Sequence, residues 1–149
     1  MMASQLKQYI IEPVLKDINL YSPSAVNLLL GTAAQESRMG HYIHQVNGPA
    51  LGIYQIEPAT AAWLDSKYGR YLDRYYNEFF SIEENLVRDL AFQTIVCRLK
   101  YYSIEEPIPP DPNNVQALGA YWKKYYNTPL GKGTVEEFVK NYKQYVGNV

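Results

Sequence analysis

The chain has 149 residues, 47% of them apolar, which is enough for one domain with a real core. Its 14 Lys and Arg against 15 Asp and Glu leave a formal net charge of -1. That balance excludes a non-specific nucleic-acid binder, which needs a basic face to displace counterions, and it exerts no pull on an anionic membrane. A single cysteine, Cys97, excludes an internal disulfide; set among Ile95, Val96 and Leu99, it reads as a buried, unreactive thiol.

From the N-terminus, Met1 to Leu20 is interrupted by Lys7, Glu12, Lys16 and Asp17, so the sequence predicts neither a signal peptide nor a membrane span there. Ser4 to Ile18 carries apolar residues at helical spacing. Ser22 followed by Pro23 is an N-cap and first-turn pair for a helix to about Arg38, with Gly40 suited to the C′ position. His41 to Ile56, with Gly48, Pro49 and Gly52, reads as an irregular loop or small hairpin. Pro58 opens a helix to about Tyr68. Ser81-Ile82-Glu83-Glu84 is a capping-box pattern before a long helix to about Tyr102. Pro107, Pro109, Pro110 and Pro112 then break the chain, and Asp111 is a candidate cap for a helix to about Tyr126. Thr134 repeats the capping pattern before a last helix that ends near Gly147. No segment sustains period-2 alternation, so the expected class is all-α, in one domain over 1–149.

The helix from Pro23 carries the chemistry. Leu28, Leu29, Leu30, Ala33 and Ala34 make it apolar nearly all round, as in a central buried helix. Glu36 sits in its last turn and emerges from an apolar stripe. Desolvation and the negative end of the helix both disfavour a carboxylate there. A carboxylic acid kept protonated near neutral pH is what cleavage of a glycosidic bond requires, because the leaving oxygen must be protonated. Arg38 is close in sequence and opposes this effect, although it should point to another face. On this helix alone, a solvated glutamate at a helix end reads equally well. The 15 tyrosines suit a glycan cleft, since sugar rings stack on flat faces, but most are expected to line the core.

Two motifs strengthen the glycosidic reading. Glu36-Ser37 closes the buried helix, and Gly52-Ile53-Tyr54-Gln55 followed by Pro58-Ala59-Thr60-Ala61 forms a turn and a helix start. Together they resemble the soluble lytic transglycosylase domain and goose-type lysozyme, where a Glu-Ser pair precedes a Gly-Leu-Met-Gln turn and a Pro-x-Thr-Ala helix start. The likeness covers roughly residues 22–146, strongly only 31–62, and Tyr54 stands where the family has Met. It extends to small lysozyme-like proteins encoded by tailed phages, which act on the wall without a signal peptide of their own.

The resemblance implies a lysozyme-like helical fold and cleavage of peptidoglycan. Glu36 would be the general acid and then the general base, and Ser37 would orient the acid or the N-acetyl group. Gln55, with the backbone around Gly52 and Tyr54, would hold the glycan. The family's active-site tyrosine corresponds to Tyr121, after Ala117-Leu118-Gly119-Ala120, or else to Tyr126, which is followed by Asn127; the small-residue run favours Tyr121. It also implies no metal or other cofactor, with glycan strands as partners and other virion proteins as further candidates.

Standard retaining and inverting glycosidases use two carboxyl groups. Glu57 is the nearest candidate, but its expected role is to favour the start of the Pro58 helix; Asp65, Asp73 and Asp89 have no supporting pattern. A single-acid transglycosylase is therefore expected, with a hydrolysing lysozyme and an inactive virion or glycan-binding protein as rivals. His41 and His44 lack a third ligand and read as loop histidines rather than a zinc site. Gly131-Lys132-Gly133-Thr134 lacks the full phosphate-loop pattern, and Trp63 and Trp122 are left open between core and cleft.

Overall fold

The computed structural model describes residues 1–147. The helices are α1 (Ala3–Leu6), α2 (Glu12–Asp17), α3 (Pro23–Ser37), α4 (Pro58–Tyr68), α5 (Ile82–Arg88), α6 (Leu90–Tyr102), α7 (Val115–Trp122) and α8 (Val135–Tyr145). Among the described residues, β pairing is confined to isolated antiparallel bridges, His44 to Leu51 and Leu51 to Ile56. The protein is all-α, and the expected hairpin is reduced to these contacts.

Between α1 and α2, Lys7–Ile11 forms a wider π turn. Pro13 explains the irregularity, because it has no N–H to donate to the Tyr9 carbonyl and its ring crowds that oxygen.

Helix α3 is the axis. The Ser22 hydroxyl accepts from the Ala25 N–H at 3.0 Å, and Pro23 occupies the first turn. Leu28, Leu29, Leu30, Ala33 and Ala34 are wholly buried, with α6, α7 and α8 packed around them. Gly31 permits the closest of these approaches: a Cβ there would stand 2.3 Å from Phe138 Cζ of α8.

The end of α3 departs from the expected simple glycine cap. The left-handed stretch starts at Arg38 (φ 52°), continues through Met39 (φ 58°) and includes Gly40 (φ 80°). The Arg38 and Met39 N–H groups donate to the Ala34 and Ala33 carbonyls at 3.1 and 3.0 Å. Burial of the Met39 side chain, 1% exposed, offsets the strain of that backbone.

Two expected boundaries shift. The long helix after Ser81 is broken at Asp89, whose φ of -111° and ψ of 106° are extended. The capping box at Ser81 forms as expected, and Asp89 then caps α6 through the Phe92 N–H at 3.0 Å. Asp111 instead closes a short turn onto the Asn113 N–H at 2.9 Å, and the cap of α7 is Asn114, accepting from the Ala117 N–H at 3.0 Å. A side chain that can cap nearby N–H groups competes with the α-helical ladder, which is why such residues relocate helix starts. Beyond α7 a second π turn, Lys123–Asn127, carries the helical path on.

One apolar cluster runs from Ala3 and Leu6 through α3 and α6 to Phe138 and Val146. Among the described residues, no helix is long and apolar enough to cross a membrane.

Candidate active site

The last turn of α3, the loop after it, Lys100 of α6 and the π turn beyond α7 with the loop that follows it line a cleft of about 690 Å³. Glu36 lines it, together with Gln55, Glu57, Lys100 and Tyr126. The loop is held by backbone and buried side chains. Gly52 N–H donates to the Ile43 carbonyl at 2.7 Å, and Ile53 N–H to Gln93 Oε1 at 2.8 Å. Gly52 has φ +77°, and a Cβ there would lie 2.5 Å from the Leu86 carbonyl oxygen, so both conformation and space demand glycine.

The Glu36 carboxyl is partly buried, and its Oε2 accepts from the Trp122 indole N–H at 2.9 Å. Burial pushes its pKa up to about 7; the indole hydrogen bond and the Lys100 charge pull the other way. The opposing cation is thus Lys100, far along the chain, whereas Arg38 two residues on is exposed. At neutral pH the carboxyl is poised between donating and accepting a proton, the condition for general acid–base work.

Lys100 is itself partly buried, and burial lowers its pKa. Its Nζ lies 3.7 Å from the centroid of the Tyr126 ring and donates to the Tyr126 carbonyl at 3.4 Å. Around the cleft mouth, the Tyr42 hydroxyl donates to the Glu36 carbonyl at 2.8 Å, and Asn141 Nδ2 of α8 donates to Gln35 Oε1 at 2.7 Å. The first of these holds the backbone that carries the acid, and the second ties α8 to the neighbouring side chain.

The two tyrosine candidates separate. Trp122 and Tyr126, four residues apart, lie on the side that meets Glu36; Tyr121 and Tyr125, also four apart, turn elsewhere, with ring centroids 4.8 Å apart. Tyr126 therefore lines the cleft, and its hydroxyl donates to the Tyr54 carbonyl at 2.5 Å. Tyr121, favoured on the sequence, lines a different cavity and donates to the Glu106 carbonyl at 2.8 Å.

Two other expected site residues turn inward. Ser37 is wholly buried; its hydroxyl bonds the Ala33 carbonyl at 3.1 Å, the Ile53 carbonyl at 2.6 Å and the Gly40 N–H at 2.8 Å. It clamps the loop to the helix end instead of facing the Glu36 carboxyl. Tyr54 is wholly buried, its hydroxyl 2.9 Å from Thr94 Oγ1, so only its backbone touches the site. Gln55 does line the cleft; its φ is 51° and its Nε2 donates to the Gly52 carbonyl at 2.9 Å.

Glu57 is exposed on the cleft wall and occupies the N-cap position of α4, the helix start it was expected to favour, without a side-chain capping hydrogen bond. Cys97 is wholly buried, and burial pushes its thiol far up, away from nucleophilic chemistry. His41 and His44 are exposed, and among the described residues no three His, Cys, Asp or Glu side chains gather as a metal-ligand set.

Trp122 and Lys100 are the residues that sequence reasoning missed as partners of the acid. The sequence leaves Trp122 open between core and cleft, and it serves both: it is wholly buried, it packs on Phe138 at 5.5 Å between centroids, and its one polar atom reaches Glu36. A tryptophan four residues before a tyrosine was the available signal. Lys100 offered none, since a lysine late in an amphipathic helix reads as a solvated end.

No family model matches the chain, and no curated protein or solved structure is similar to it.

Proposed function

We propose that the protein cleaves peptidoglycan as a lytic transglycosylase, with Glu36 as its single acid and base. The observation that carries this reading is a carboxyl group raised to about pKa 7 at the wall of an open cleft and held by an indole N–H. Protonated Glu36 donates its proton to the oxygen between N-acetylmuramic acid and N-acetylglucosamine as the C1–O bond breaks. The carboxylate then accepts the proton of the muramic C6 hydroxyl, whose oxygen bonds to C1. The 1,6-anhydro ring closes, Glu36 is protonated again, and no water is consumed. The Trp122 N–H and the Lys100 charge stabilise the carboxylate formed midway. Tyr126, tied down through its hydroxyl, holds the Lys100 ammonium over its ring beside the cleft.

Glu57 favours a second reading. A carboxylate on the same cleft wall supplies the base that a hydrolysing lysozyme needs to activate water. Mass spectrometry of soluble products from purified peptidoglycan separates the two. Anhydro-muropeptides made by the protein and not by Glu36→Gln are the expected result. Products one water heavier, lost in Glu57→Gln, would replace transglycosylation with hydrolysis. The absence of products at any pH would remove the enzyme reading.

A further inference from the structure

A second cavity, of about 480 Å³, is walled by Tyr68, Tyr101, Tyr102 and Tyr121, with Arg98 as its only lining cation among the described residues. Tyr101 joins it to the cleft: its ring stacks on Tyr126 at 5.1 Å and on Tyr121 at 5.7 Å between centroids. Arg98 is partly buried, and its Nε donates to the Leu20 carbonyl at 3.0 Å, which fixes the guanidinium plane. Its terminal nitrogens make no hydrogen bond or ion pair with the described residues. No polar side-chain atom among those residues is sealed from solvent without a partner, so these nitrogens are reached by solvent, and Arg98 lines the cavity. Glu105 and Glu106 also line this cavity, exposed and without ion pairs, while Ile108 adds an apolar surface.

A planar fork of donors matches a carboxylate in two-point geometry, and the flat rings around it match a compact apolar body. An acidic rim beside that fork rejects a simple anion and accepts an ammonium group. We propose that this cavity binds the free C-terminal end of a short peptide, its carboxylate on Arg98 and a neighbouring amino group at Glu105 and Glu106. The assignment rests on the peptidoglycan reading for its natural source, the stem peptides that hang from the glycan. The cavity would then hold a stem peptide while the cleft holds the strand.

The test is NMR titration of the full chain with the dipeptide D-alanyl-D-alanine, and in parallel with its C-terminal amide. The free dipeptide is expected to cause saturable shifts at the amides of Tyr102, Ile108 and Tyr121. Loss of a charge-assisted pair corresponds to at least about tenfold weaker binding of the amide. Arg98→Gln should weaken the free dipeptide equally, and Glu105→Gln with Glu106→Gln should weaken it while leaving its N-acetylated form unaffected. No saturable shift at these amides, or equal binding of acid and amide, would overturn the proposal without relying on any variant's fold. Because binding is read apart from turnover, an active protein with an empty cavity refutes only this inference. A protein that binds the dipeptide but yields no glycan products refutes only the transglycosylase reading.

Discussion

Two neighbouring faces of the same segment, Tyr121 with Tyr125 and Trp122 with Tyr126, have different surroundings one residue apart. The second face meets a half-buried acid, a cation and a cleft. The first packs on Tyr101 and opens on a tyrosine-walled cavity with an arginine. The difference is one of rotation about a helix axis, about 100° per residue, and not of composition. An aromatic-rich segment therefore does not mark a site until its phase relative to the acid is known.

Substitutions on the two faces test that division. On the acid's side, Glu36→Gln should cut the rate by about 10²- to 10⁴-fold, the usual worth of a general acid, measured as product release from peptidoglycan. Retained activity would break the assignment outright. The same variant should alter stability in a pH-dependent way. The folded protein holds the Glu36 proton more tightly than the unfolded chain, so this group's contribution is fully present below the ordinary value of 4.5 and is lost as pH rises through about 7. Glu36→Gln removes that loss and keeps an acceptor for the indole. It should exceed the wild type in stability above pH 7 by up to about 3 kcal/mol, read from denaturant melts across pH. Equal stability at every pH would mean that the carboxyl is not desolvated.

Trp122→Phe keeps most of the packing on Phe138 but removes the donor to the acid. About a tenfold loss of rate is expected, with the alkaline limb of the pH–rate profile moved upward, because the hydrogen bond lowers the Glu36 pKa. An unmoved limb would make the indole a packing element only. Tyr121→Phe should change the rate of glycan cleavage less than about twofold, the effect of losing one partly exposed hydrogen bond outside the cleft. A loss as large as that of Trp122→Phe would restore Tyr121 to the site.

Local rules carried the reading of much of this fold. The start of α3 follows from Ser22 and Pro23, its central position from five buried apolar residues, and the start of α5 from its capping box. The apolar stripe raised Glu36 only as an even choice against a solvated helix end, and the Glu36-Ser37 pair with the Gly52 to Gln55 turn favoured it. What remained hidden depends on tertiary phase. Ser37 and Tyr54 belong to the same motifs as Glu36 and Gln55, yet loop closure turns their side chains into the core. The choice between Tyr121 and Tyr126 followed the small residues before Tyr121, whereas Gly119 makes room for Phe138, 2.9 Å from a Cβ placed there. The break at Asp89 was hidden by apolar spacing that runs through it unchanged.

The groups that set the acidity of Glu36 come from distant parts of the chain: the end of α3, Lys100 in α6 and Trp122 at the end of α7. No one segment carries the reagent. If α7 detaches, Glu36 returns to water and behaves as an ordinary glutamic acid. On the proposed reading, the reagent exists only while the last helices are docked, so completed folding is itself the safety catch.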